Sequence, residues 1–250
     1  MKVYLDNCIL VDIEKGNLNL SEFTQIAGAK YYFSSAHLNE LRRGLRNNAA
    51  LKETRLNTIT KICGTNYIVP DAPGFPMGEE MQTPNDVYGL CEYYNIYARS
   101  VEDSAAICNP DRDGILGELS LHKKEVGNID PNQILNTLDV KLKESHLHCG
   151  LDDYLLLTKA ATGNAKFSIL FNLMDSVCYW KDEKNINRLY DSSHANYAQY
   201  CDVLVTNDRR MSIKSRAIYA YYRINTIVMS SKEYLNRILA IYNNRIQYHF

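Results

Sequence analysis

The residues of this sequence best suited to chemistry are four acids set against apolar chain. They are Asp6 in MKVYLDNCIL, Glu40 in SSAHLNELRRG, Asp191 in YDSSHANYAQY and Asp208 in VLVTND. An acid in such a setting belongs at the rim of a core, where a carboxylate is costly unless something positive meets it. Four carboxylates gathered at one mouth would repel each other, and divalent cations relieve that repulsion. An all-oxygen ligand set suits Mg²⁺ or Mn²⁺. Ions held this way serve phosphoryl chemistry by activating water and steadying a leaving oxygen. Asn7, His194, Thr206 and Asn207 stand beside the acids and are types that orient ligands or waters. Plainer roles compete: Asp6 could cap a turn, and Glu40 could pair with Arg43 three residues on. Asp202 is expected to bond backbone at the start of its strand.

The acids can meet only if the elements carrying them end at one place. Lys2 to Asp6 reads as a strand, with a helix or turn to about Gly16. Lys30 to Ser34 reads as a second strand. Ser35 can cap a long helix whose stripe is Leu38, Leu41, Leu45 and Ala49. Tyr67 to Pro70 reads as a third strand, and the proline-bearing stretch 71–86 as a loop or lid. Toward the end come a helix over Asn187–Cys201, a strand over Asp202–Thr206 and a helix over Ile213–Tyr222. A strand over Ile224–Met229 and a helix capped by Ser231 follow. Short apolar strands alternating with helices predict an α/β fold with a parallel sheet covered on both faces. Sites in such sheets form beyond the carboxyl ends of the strands. Asp6 and Asp208 leave two strands there, and Glu40 sits early in the helix after the second. Asp191 shares a helical face with His194, Ala195 and Ala198.

These pieces resemble the PIN domain, a family of metal-dependent nucleases that includes toxin ribonucleases of bacterial toxin–antitoxin pairs. YLDNCIL matches the family's first aspartate at Asp6, and SSAHLNELRRG its helical glutamate at Glu40. YDSSHANYAQYCDVLVTNDRRM matches its later aspartates at Asp191 and Asp208. The resemblance covers roughly 1–70 and 187–235. It implies a PIN-like parallel sheet flanked by helices, with the whole chain, 1–250, as one domain and about 71–186 as a helical insertion. It further implies a Mg²⁺- or Mn²⁺-dependent endoribonuclease whose metal ligands and catalytic residues are Asp6, Glu40, Asp191 and Asp208. The expected products are 5′-phosphate and 3′-hydroxyl ends. A toxin or antiphage role, an antitoxin or other protein partner and a homodimer are further expectations. A non-catalytic PIN-like scaffold that binds RNA or protein is the alternative.

The formal net charge of −1 offers no global basic field, so a nucleic acid would have to be held by local patches. Arg209, Arg210, Lys214, Arg216 and Arg223 stand without an intervening acid beside Asp208, and Arg42, Arg43 and Arg46 cluster beside Glu40. Arg43, Arg209, Arg210 and Lys214 are the expected RNA contacts, against the plainer role of a solvated helix face. Eleven acids against five Lys and Arg over 102–153 make that stretch a solvated, helical region poorly suited to phosphate. The seven cysteines are scattered, without a CxxC pair, which fits a reducing compartment better than a disulfide framework. No leader pattern or membrane-length apolar run is seen, so a cytoplasmic protein is expected. The calcium-like NPDRDGILGELS lacks its closing glutamate at Ser120, and His146, His148 and Cys149 lack a cysteine pair for zinc. A haloacid dehalogenase-type phosphatase would need its general acid where Cys8 stands.

Overall fold

Val3, Tyr4 and Leu5 are all buried, as a strand covered on both faces requires. They belong to β1 (Lys2–Leu5), at the middle of a six-stranded sheet in the computed structural model. The structure describes residues 1–44, 48–69, 77–93, 111–158, 163–182 and 185–237. The other strands are β2 (Lys30–Ser34), β3 (Asn66–Val69), β4 (Gly78–Met81), β5 (Val203–Val205) and β6 (Ile227–Met229), in the order β4-β3-β2-β1-β5-β6. Every pairing is parallel except β3 with β4. Val3 sits between Tyr31 and Val203, and Leu5 lies opposite Val205, so β1, β2 and β5 end on one edge.

The chain divides into two compact units. The first comprises Met1–Tyr93, Tyr200–Asp208 and Thr226–Phe250; the second comprises Tyr94–Gln199 and Arg209–Asn225. The first unit holds the whole sheet together with α1 (Asn7–Glu14), α2 (Leu20–Thr24), α3 (Ser35–Gly44), α4 (Ala49–Cys63) and α5 (Pro84–Tyr93). Its core joins Leu5, Ile9, Phe33, Leu38, Ile59 and Val205. The second unit is helical: α6 (Arg112–Glu118), α7 (Lys123–Val126), α8 (Ile134–Glu144), α9 (Leu151–Leu157), α10 (Gly163–Ser176), α11 (Asn185–Ala198) and α12 (Arg209–Tyr221). Leu138, Phe167, Leu170, Phe171, Met174 and Ile218 are buried in it.

Several sequence expectations are corrected. The single long helix after β2 is two helices, because Asn48 starts a new one by accepting the Leu51 amide on its side chain at 3.1 Å. Leu45 and Arg46 lie outside the described residues. The cap of α3 is Ser34 rather than Ser35. Its hydroxyl accepts the Ala36 N–H at 3.2 Å while its own N–H goes to His37 Nδ1 at 3.2 Å. β2 therefore passes into α3 with no loop between them. Within the expected loop 71–86, the Glu-rich edge strand β4 and the start of α5 are formed, and residues 70–76 lie outside the description. α12 begins at Arg209, four residues before the expected start. The helix over 231–237 is capped by Ser230, which exchanges bonds with Glu233 as a capping box. Among the described residues no helix is long and apolar enough to cross a membrane, and six cysteines are free.

Candidate metal centre

Asp6 follows β1 directly and caps α1, so its side chain is fixed at the corner where strand turns into helix. It is only 5% exposed. Its Oδ1 accepts the Asn7 N–H at 2.7 Å. Its Oδ2 accepts the Thr206 hydroxyl at 2.8 Å and the Cys8 thiol at 2.9 Å. Burial first, and the Asp6 carboxylate second, push the Cys8 thiol far up, so it remains a protonated donor. The capping role weighed for Asp6 is thus present in the structure.

Thr206 follows β5 and is buried. The hydroxyl that donates to Asp6 also accepts the Asp208 N–H at 3.0 Å, placing the half-buried Asp208 beside the same corner. Asn207 is a clamp. Its Nδ2 donates to Asp12 at 3.1 Å, and its Oδ1 accepts the Ser231 N–H at 3.1 Å and hydroxyl at 3.0 Å. Glu40, half-buried on α3, enters through Asn7, whose Nδ2 donates to Glu40 Oε2 at 2.6 Å. The first unit therefore ties Asp6, Glu40 and Asp208 into one hydrogen-bonded frame at the carboxyl edge of β1, β2 and β5.

Three residues of this frame were not foreseen. His37 is buried, and its Nδ1 accepts the Ser34 N–H, so Nε2 carries the proton and donates to Leu5 C=O at 2.7 Å. It fastens the helix bearing Glu40 to the residue before Asp6. Arg55 on α4 donates from Nη1 to Asn7 Oδ1 at 2.8 Å and pairs with Glu14. Asp12 receives Asn207. The faint signal for His37 was its place three residues after Ser34, and for Arg55 its place on the apolar stripe of Leu56, Ile59 and Ile62.

Asp191 and His194 belong to the second unit, on α11, where Asp191 is half-buried and His194 buried. The first unit gathers three of the four expected acids and does not include Asp191. On α3 Arg43 is half-buried; on α12 Arg209 is exposed, its guanidinium 4.5 Å from the centre of the Trp180 ring, and Arg210 is half-buried. Lys214 was expected to grip phosphate, and the structure corrects this. It is 0% exposed, with Nζ 2.7 Å from Asp182 and 3.1 Å from Asp175. Asp175 also receives Arg188 at 3.3 Å, Arg112 at 3.5 Å and the Asp182 N–H at 2.7 Å. The ammonium is committed to an internal ion cluster and has no surface to offer RNA.

The donors of the frame are carboxylate and amide oxygens, which suit a hard dication such as Mg²⁺ or Mn²⁺. Among the described residues, however, no three His, Cys, Asp or Glu are grouped so as to hold a metal ion. The donor chemistry fits while the side chains stand apart. No protein family, curated protein or solved structure matches the chain.

Proposed function

We propose that the chain is a Mg²⁺- or Mn²⁺-dependent endoribonuclease whose acidic centre includes Asp6, Glu40 and Asp208. One observation carries the proposal. Acids from three distant stretches of sequence share a partly buried frame, through Asn7 and Thr206, at the sheet edge where α/β folds place their sites. A bound dication would neutralise the acids and polarise a phosphodiester. The residues of the chain hold and orient. Asp6 is fixed by three donors, Glu40 is aimed by the Asn7 amide, and Asp208 is placed by Thr206 through its own N–H. RNA rather than DNA is the substrate by resemblance to PIN nucleases, with Arg43, Arg209 and Arg210 as its contacts. A toxin or antiphage role with a protein inhibitor rests on the same resemblance.

A second function, a scaffold that binds RNA or protein without cutting, is favoured by the absence of a metal-holding group among the described residues. Incubating labelled single-stranded RNA with the protein and Mn²⁺, with and without EDTA, separates the two. The nuclease predicts cleavage abolished by EDTA and lowered by about 100-fold or more in Asp208→Asn, several kcal/mol of lost transition-state stabilisation. RNA bound but uncut, or cleavage indifferent to EDTA and to Asp208→Asn, refutes it.

A further inference from the structure

Asn7 is a buried amide with two partners of opposite demand. Arginine only donates hydrogen bonds, so the Asn7 atom facing Arg55 Nη1 must be Oδ1. That choice leaves Nδ2 facing the Glu40 carboxylate. Rotated by a half-turn, the amide would set its NH₂ against a guanidinium and its carbonyl oxygen against a carboxylate, losing both bonds. Asn7 is 4% exposed and Arg55 7% exposed, so the Arg55–Asn7 bond is buried from water, while the Asn7–Glu40 bond is partly buried. Arg55 is in turn held by both carboxylate oxygens of Glu14. Its charge is spent on Glu14, so it can orient the amide without competing with a cation for Glu40.

On the strength of the metal-dependent function above, we propose that Arg55 is a positioning residue of the centre. It locks the Asn7 amide in the one orientation that aims Glu40, and Glu14 holds Arg55 for that task. Groups that orient metal-binding side chains from behind contribute roughly 10–100-fold to metal affinity or activity. Arg55 stands on α4, 48 positions from Asn7, and its hydrogen bonds go to Asn7 and Glu14. An effect that passes through Asn7 is separated from a direct charge effect on Glu40 by comparing Arg55→Met with and without Asn7.

The test is a Mn²⁺ titration of the whole protein, free Mn²⁺ being counted by its electron paramagnetic resonance signal, with thermal unfolding measured in parallel. Arg55→Met keeps the apolar stem and removes the donor, and is expected to weaken Mn²⁺ binding by roughly 10–100-fold. In an Asn7→Ala background the same substitution is expected to add nothing, because the group it orients is gone. Glu14→Gln leaves the guanidinium present but less firmly held and is expected to give a smaller loss in the same direction. It serves alone should Arg55→Met fail to fold. Wild-type affinity in a folded Arg55→Met or, failing that, in Glu14→Gln overturns the proposal, as does a full Arg55→Met penalty in the Asn7→Ala background. Either result leaves the metal centre standing. A wild-type chain that holds no Mn²⁺ refutes the centre itself, and the role of Arg55 with it.

Discussion

Replacing Lys214 with Met asks whether its ammonium holds the second unit together or serves RNA. Met has similar length and volume, so the change removes charge and donor with little change in packing. Removing one member of a buried ion pair costs about 3–5 kcal/mol, because the partner stays buried with less compensation. Here Asp175 keeps Arg188, Arg112 and the Asp182 N–H, so the loss should fall near the lower end, about 3 kcal/mol. In a chain of 250 residues that corresponds to a fall in melting temperature of about 6–12 °C. Calorimetry measures the shift, and fluorescence anisotropy with labelled single-stranded RNA measures affinity well below the new melting temperature. The internal cluster predicts a large fall in stability with RNA affinity unchanged. A melting temperature within about 2 °C of wild type, together with weaker, less salt-sensitive RNA binding, would refute the internal placement and restore Lys214 as a phosphate contact.

Thr206→Val keeps the shape and removes the hydroxyl that serves both Asp6 and the Asp208 amide. The expected loss is about 2–4 kcal/mol in urea unfolding, with Thr206→Ser near wild type; equal behaviour of the two variants would contradict the shared bond. His37→Ala removes the bond to Leu5 C=O and the ring packed against Tyr4, and should lower the urea midpoint by the equivalent of about 2–4 kcal/mol. An unchanged midpoint would show that the β1 corner does not depend on His37.

Much of the sheet was legible because β1, β2 and β5 are short apolar runs flanked by polar residues, and their period and length leave few alternatives. β4 was not legible. Gly78, Glu79 and Glu80 have little strand propensity, and the strand exists because an edge position lets its side chains face water. The break between α3 and α4 was hidden by leucines that keep helical spacing across it; Asn48 was the only mark. Lys214 misled because lysine reads as surface by type, although Met211 and Ile218 place it on a buried stripe. Asp6 and Asp208 could be picked out as acids at strand ends. Asn7 and Thr206 could be named beside them as orienting types, but not the partners they bond, and His37 and Arg55 are ordinary polar residues until the fold brings their partners within reach.

The most direct test of the acidic centre is the count and affinity of Mn²⁺ bound by wild type, Asp6→Asn, Glu40→Gln and Asp208→Asn, each confirmed as folded. Three carboxylates serving one cation predict saturable binding by wild type and a loss of roughly 10-fold or more in every variant. No saturable Mn²⁺ in wild type, or one affinity shared by all four proteins, would contradict it.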